Sequence, residues 1–435
     1  MRWTDFALDK AGAKSIAEFQ SHYGLPETGE ADLITSRALW DYLVGYRCHR
    51  MAPRETLYQV AQAYGTTIQA IWAGNCGLPP GGPVPGQLIR VPIDCPVVPW
   101  NAPFESAMEE VFLEGLHARC RWISSAPLAT TAGGRRLWVI RLGTGGRRVL
   151  LTAGHHGNEW ITSLLLWRLL EDYVTALREE GQFYGMPARS LFRRTTLCLV
   201  PLVNPDGADL VLGRASAAEV ARARVLAASQ PQVPFPRGWK ANGAGVDLNL
   251  NYPARWEQAR EIKAAAGVTA PGPRDYPGAE PLDQPETRAL YDLTRRFAPH
   301  TVAAWHAQGG EIYAADPEGM VPDSALAERL AAASGYHLTS PPPESANGGY
   351  RDWFMAEYRR PGFTIEAGRG ENPLPQRDLP ALTKKTLPFL PSLRGGAYRR
   401  RARSPFRSSR RPSRQSGTVV GAFSTLYKIE NFPPI

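Results

Sequence analysis

A chain of 435 residues, 43% hydrophobic and 21% charged, has ordinary globular composition and the length for two to four domains. No apolar run reaches the roughly 18 residues of a membrane span, so no membrane insertion is expected. The formal charge of +9 invites a nucleic-acid partner, yet nine Arg and no acids fall between Arg394 and Arg414, so the rest sums to zero and no specific nucleic-acid or protein partner is implied.

The first residues, Met1 to Lys10, lack the apolar core of a secretory signal. A cytoplasmic location is therefore expected, with a sporulating mother cell or spore as the setting in which such a protein meets the wall. In residues 1–46, Ile16, Phe19 and Tyr23 share a helix face that stops at Gly24, Thr28-Gly29 turns the chain, and Ser36, Leu39, Tyr42 and Leu43 mark another helix. His22 reads as an exposed helix residue, not a metal ligand. In residues 47–97, Leu57, Val60, Ala61 and Tyr64 make one face of a helix ended by Gly65, and Thr67 can cap a second helix carrying Ile68, Ile71 and Trp72. With Leu88 to Val91 strand-like, the order is strand, helix, helix, strand. The five cysteines are odd in number, widely spaced and without a C-x-x-C pair, so free thiols are expected; a bridge between Cys48 and Cys95 is the alternative.

The chemistry sits in residues 98–393. An apolar run at Val149, Leu150 and Leu151, then Gly154, then a helix pattern at Ile161, Leu164, Leu165 and Leu169, places His156 and Glu159 on a strand-to-helix turn. Loops at strand ends are where open α/β sheets bind ligands. An isolated His followed three residues later by Glu is usually plain surface. Here His306 and Glu366 each close a further strand-like run, which weights the reading toward a zinc site of two imidazoles and a carboxylate, His156, Glu159 and His306, with one position left for water. Glu366 is then the group to take and return protons. His155 beside His156 leaves the ligand open: the spacing to Glu159 favours His156, and His155 reads as a supporting residue.

The segments His156-Gly-Asn-Glu159-Trp160, Val203-Asn-Pro-Asp-Gly207, Gly245-Val-Asp-Leu-Asn249, Glu280 to Leu290, His306 and Phe363-Thr-Ile-Glu366 follow one another as in zinc carboxypeptidases of the carboxypeptidase A type, a resemblance over roughly residues 98 to 391. It implies an α/β fold, an α/β/α domain with a mixed central sheet, and one Zn2+ per chain. Asp247 to Pro253 and Phe363 to Pro375 resemble the γ-D-glutamyl-L-diamino acid endopeptidases that cut peptidoglycan stem peptides. Carboxypeptidases that capture a terminal carboxylate place Asn-Arg after the Gly-Val-Asp segment, and here the pair is Asn249-Leu250. Without that planar guanidinium, C-terminal trimming of proteins is disfavoured. The family's oxyanion-stabilising Arg aligns with Lys240. Asp352-Trp353, fourteen residues before Glu366, matches the family, but the substrate-contacting Tyr eight residues earlier is Glu344, with Tyr350 nearby and out of register.

Residues 51–94 resemble a LysM module, whose ligand is the glycan of peptidoglycan or chitin, and Phe19 to Gly29 resembles a small helical peptidoglycan-binding domain. Expected from all this is a modular wall hydrolase: a helical module (1–46), a βααβ LysM-like module (47–97), a catalytic domain (98–393) and an Arg-rich disordered tail (394–435). Catalysis is assigned to Glu366 and Lys240, substrate binding to Asn249, Arg369 and Arg351. A general zinc carboxypeptidase and a catalytically dead wall-binding protein are the alternatives.

Overall fold

Three helices open the chain in the computed structural model, which describes residues 3–393 apart from Cys76, Pro317 and Ala346. The Arg-rich segment expected to be disordered lies outside the described residues. Helix α1 (Trp3–Ala11) was not anticipated; it buries Phe6, Ala7 and Leu8 on a face packed against α3. Helix α2 (Ile16–His22) starts at Ser15, whose side chain accepts from Glu18 N, and α3 (Leu33–Val44) starts at Asp32 and stops at Gly45, φ +77°. Between them the buried Gln20 amide bonds Thr28, Thr35 and the backbone of Glu30 and Gly29, fixing the turn. His22 is exposed, as expected.

Strand β1 (Tyr46–Arg50) pairs antiparallel with β2 (Leu88–Pro92), and helices α4 (Leu57–Ala63) and α5 (Ile68–Gly74) lie between them in sequence. Thr56 and Gln59 close a capping box on α4, and Thr67 caps α5 by accepting from Ala70 N. Val60, Ile71, Ile89 and Val91 form the core of this βααβ unit. Cys48 and Cys95 form no disulfide, so the alternative of a bridge between them is not realised.

The connector after β2 is held by buried charge. Glu171 accepts from Val97 N and Val98 N (2.5 and 3.0 Å), Arg168 donates to Val98 O (3.0 Å), and Arg119 donates to Ile93 O and Cys95 O (2.7 and 3.0 Å). Asp9 of α1 accepts from Trp100 N at 3.0 Å. Hydrogen bonds to ionised groups are the strong ones, roughly twice a neutral pair, so βααβ unit and catalytic region share one stapled junction.

Helix α6 (Met108–His117) leads into the strands β3 (Ser124–Thr130), β4 (Arg136–Leu142) and β5 (Arg147–Ala153), then α7 (Ile161–Arg178). A two-stranded ribbon, β6 (Gln182–Phe183) and β7 (Met186–Pro187), precedes β8 (Thr195–Val200); β9 (Thr301–His306), β10 (Glu311–Tyr313), β11 (His337–Thr339) and β12 (Gly362–Glu366) complete the set. The main sheet has eight strands in the order β11-β10-β12-β9-β5-β8-β4-β3, parallel across β12, β9, β5 and β8 and antiparallel at β10–β12, β8–β4 and β4–β3. It is the mixed sheet anticipated. Central strands buried on both faces read as continuous apolar runs, which is why Val149 to Ala153 and Thr301 to Trp305 lack alternation. On one face α7 buries Leu165, Leu166, Trp167, Leu169 and Leu170 completely, each contributing about 1.5–3 kcal/mol. The other face carries Leu150, Val200, Val302, Leu290 and Phe354.

Candidate active site

The carboxyl ends of three adjacent parallel strands converge on one cleft. Strand β5 ends at Ala153, and the chain turns at Gly154 (φ +64°) to put His156 just before a short 3-10 turn (Gly157–Glu159) that leads into α7. His306 is the last residue of β9, Glu366 the last of β12, and the two are direct partners in the strand register. The sheet itself therefore sets Glu366 beside His306.

His156 Nδ1 lies 2.9 Å from Glu159 Oε1, and His306 Nδ1 lies 3.0 Å from Glu159 Oε2. One donor atom from each residue falls within 4.8 Å of the others, and all three side chains are buried. Two imidazoles and a carboxylate form a donor set that zinc takes in hydrolytic sites. The surroundings fit the ion as well: the far nitrogen of His156, Nε2, donates to Asp247 Oδ1 at 3.1 Å, the carboxylate–histidine arrangement that fixes the ring of a metal ligand. Of the two adjacent histidines, His156 joins the group. His155 is fully buried, stacked between His306 and Tyr350, and burial together with the neighbouring His306 and His156 holds its pKa well below the usual imidazole range.

Two backbone approaches lock this loop. A Cβ on Gly157 would meet the backbone of Gly207 at 2.5 Å, so the turn packs directly on helix α8 (Pro205–Val211). Asn204, fully buried, donates from Nδ2 to His155 O (3.1 Å), Lys240 O (3.1 Å) and Ala241 O (3.0 Å), while Gly157 N donates to Lys240 O at 3.0 Å. The metal-ligand loop and the Lys240 loop are thereby tied by one amide.

A cavity of about 820 Å³ opens over the group, lined among others by Lys240, Asn249, Arg351, Tyr313 and Glu366. Lys240 Nζ is 3.7 Å from Glu159 Oε1, placing its charge at the donors. Glu366 is partly buried at the cavity floor; desolvation, then the charge of Glu159, push its carboxyl up to about 8, and a cation held by the donors acts in the opposite sense. Asn249 accepts from Tyr350 N at 3.2 Å.

Arg369 is not brought to the cleft. Gly368 (φ +80°) and Gly370 (φ +121°) flank it in a turn that leaves it exposed, its Nε against Gly310 and away from the cavity lining, so closeness to Glu366 in sequence was misleading. Tyr350 is also turned away: its hydroxyl meets Thr294 Oγ1 at 2.8 Å in the core. Leu250 is buried and does not line the cavity. Residues without a role in the sequence reading now have one: Asp247 and Asn204, both inside quoted motifs, and Tyr313, which lies on a three-residue strand with no sequence signal.

Residues 110–389 match the model of the zinc carboxypeptidase family, more than half of the chain. The chain belongs to the zinc carboxypeptidase family. Within this zinc carboxypeptidase a second match, to the LysM domain, covers residues 49–92. The γ-D-glutamyl-L-diamino acid endopeptidase 1 of Lysinibacillus sphaericus is 39% identical over 269 residues, 61% of this chain and 66% of that protein. Murein peptide amidase A of Escherichia coli K12 is 28% identical over 217 residues, 47% of this chain and 64% of that protein. The chain thus spans about two thirds of the length of these relatives. Among solved structures, carboxypeptidase A from Helicoverpa armigera aligns with a TM-score of 0.50 at 14% identity, covering 80% of this chain and 96% of that one, a likeness of fold.

Proposed function

We propose that this zinc carboxypeptidase family member hydrolyses peptidoglycan stem peptides at the amide between the γ-carboxyl of D-Glu and the L-centre of a diamino acid. The observation that carries the reading is Leu250, an apolar, buried side chain at the position from which carboxypeptidases proper present an arginine to a terminal carboxylate. The LysM match over 49–92 supports a glycan-bearing substrate, as do the names of the two bacterial relatives. The helices of residues 3–44 are read as a second wall-binding module, and the Arg-rich tail as dispensable for chemistry.

His156, Glu159 and His306 would hold zinc, and the chemistry such an ion would supply there is Lewis-acid polarisation of a carbonyl and acidification of water. The chain's own groups do the rest. Glu366 accepts the proton of the attacking water and delivers it to the leaving nitrogen. Lys240 offers a positive charge to the carbonyl oxygen as negative charge develops there, as a point charge and not as a fork. Asn249, fixed by Tyr350 N, presents its remaining amide hydrogens to the substrate. Asp247 holds the His156 ring.

Incubating the zinc-loaded protein with defined muropeptides and weighing the products tests this. Release of a diamino acid, or of a peptide beginning with one, is expected. Trimming of ordinary peptides from the C-terminus with intact muropeptides would overturn it in favour of a general carboxypeptidase.

A further inference from the structure

The edge of the sheet opposite the cleft gathers positive charge. Strands β5, β9 and β12 run parallel, so their starts meet at one pole just as their far ends, which lead to His156, His306 and Glu366, meet at the other. Arg147 and Arg148 open β5, His300 stands immediately before β9, and Arg360 stands two residues before β12. All four side chains are partly buried. None of them lines the cleft, which lies roughly 20 Å away along the seven residues of β5.

Their neighbours hold these groups in place without neutralising them. Arg148 Nε donates to Ala298 O at 3.0 Å, Arg360 Nη1 to Pro299 O at 2.8 Å, and Arg147 Nη2 to Thr301 Oγ1 at 3.4 Å. Ala298 caps the helix Pro285–Phe297, and an Arg on the last carbonyls of a helix is a common arrangement. It does not account for three guanidiniums: the acceptors are uncharged, and among the described residues none of the three forms an ion pair. Arg147 Nε is buried without a partner. The backbone N–H of Arg148 donates to His300 Nδ1 at 3.1 Å, which leaves the hydrogen of the neutral ring on Nε2. Burial first, then the charges of Arg148, Arg360 and Arg147, hold that ring below the usual imidazole value, so it stays an uncharged donor near neutral pH.

The charge extends to both sides as a row. Arg329 acts on Arg147, and Arg295 acts with Arg360 on Tyr358; the acids within reach are Asp323 near Arg147 and Glu357 near Tyr358. Guanidinium forks are the side chains matched to phosphate oxygens, and a row of them matches a chain with one phosphate in each repeat. We propose that Arg147, Arg148, His300 and Arg360 anchor a phosphodiester polymer of the cell wall at the pole opposite the cleft. The anion chemistry stands on the geometry alone, and the choice of a wall polymer rests on the function proposed above. Held by this pole, the protein keeps its cleft open to stem peptides.

The test titrates the full chain with poly(glycerol phosphate), and with a single-stranded oligonucleotide of equal phosphate number, at several salt concentrations. The polymer is expected to bind the more tightly of the two. Combining Arg148→Gln with Arg360→Gln should weaken that binding by about tenfold and make its salt slope shallower by about two, with hydrolysis of soluble muropeptides unchanged. Lysine at the same two positions should keep most of the affinity. Unchanged affinity in the glutamine variant would assign the binding to the Arg-rich segment and overturn the anchor. Tighter binding of the oligonucleotide, lost in the same variant, would overturn the choice of polymer in favour of nucleic acid. Should the glutamine variant not fold, the native chain decides: the polymer should shield His300 from diethyl pyrocarbonate, read by peptide mass, and undiminished labelling would sink the proposal. A failure of the muropeptide reaction itself bears on the proposed function alone, since none of the four groups reaches the cleft.

Discussion

Asp247 accepts a hydrogen bond from His156 at 3.1 Å on the ring nitrogen that faces away from Glu159. The pair fixes which nitrogen of the imidazole keeps its lone pair free for a metal ion shared with Glu159 and His306. Removing such an outer carboxylate typically costs 10–100-fold in metal affinity. Asp247→Asn is expected to weaken zinc binding by about that factor in a chelator competition. Unchanged affinity would show that the ring is held by packing alone.

Glu366→Gln keeps the shape of the cleft floor and removes the proton acceptor. Turnover should fall by roughly 10²–10⁴ with zinc still bound at one per chain, read by product analysis beside metal quantification. An active variant with this substitution would assign the proton transfer elsewhere.

Gly157→Ala places a methyl group against the backbone of Gly207, which cannot move aside as a flexible side chain would. Loss of zinc binding and a lowered unfolding temperature are expected together, since the same turn carries Glu159. Circular dichroism melting with and without zinc checks this; a variant that melts and binds as the native protein does would mean the loop shifts freely.

Glu286 links stability to pH. It is fully buried on the helix Pro285–Phe297, with the Asn242 amide 3.4 Å from its oxygens, and burial, against the pull of a backbone hydrogen bond, pushes its carboxyl up to about 7. Between the unfolded value near 4.3 and about 7 the native state holds a proton that the unfolded state has released, so this contribution is fully present at low pH and is lost as pH rises through 7. Glu286→Gln should therefore be more stable than the native protein at pH 8, by on the order of 1–3 kcal/mol, and near parity at pH 4.5. Denaturant midpoints at the two pH values measure it, and a difference that grows toward acid would reverse the sign.

Truncation after Arg394 tests the place of the Arg-rich segment. Every residue assigned to the site and, among the described residues, every strand of the main sheet precedes it. Equal rates on soluble muropeptides are expected for the truncated and full chains, and a large loss of rate would show that the segment contributes to the cleft.

The parts of the site legible beforehand were those fixed by strand ends. His156, His306 and Glu366 each follow an apolar run, and a parallel sheet gathers such ends at one edge. Direction off the sheet was not legible. Arg351 lies on the helix before the final strand and Arg369 just after that strand, one inside a buried helix and one between glycines in a turn, and only the first reaches the cavity. Tyr313 was missed because a three-residue strand leaves too short a pattern to read. Helix α1 was missed for a related reason: its face includes Lys10, buried with its ammonium on Leu43 O, where a charged residue argues for surface.

The pairing of His306 with Glu366 has a consequence for how this scaffold can change. Their separation is a lattice constant of the sheet, about 4.8 Å between neighbouring strands, not a product of side-chain fit. Cleft walls outside the strands can be rebuilt by insertion or deletion with that spacing untouched. A slip of one residue in either strand, by contrast, turns one of the two side chains to the opposite face. Redesign of substrate choice is therefore open at the loops, while the interior of β9 and β12 is closed to changes of length.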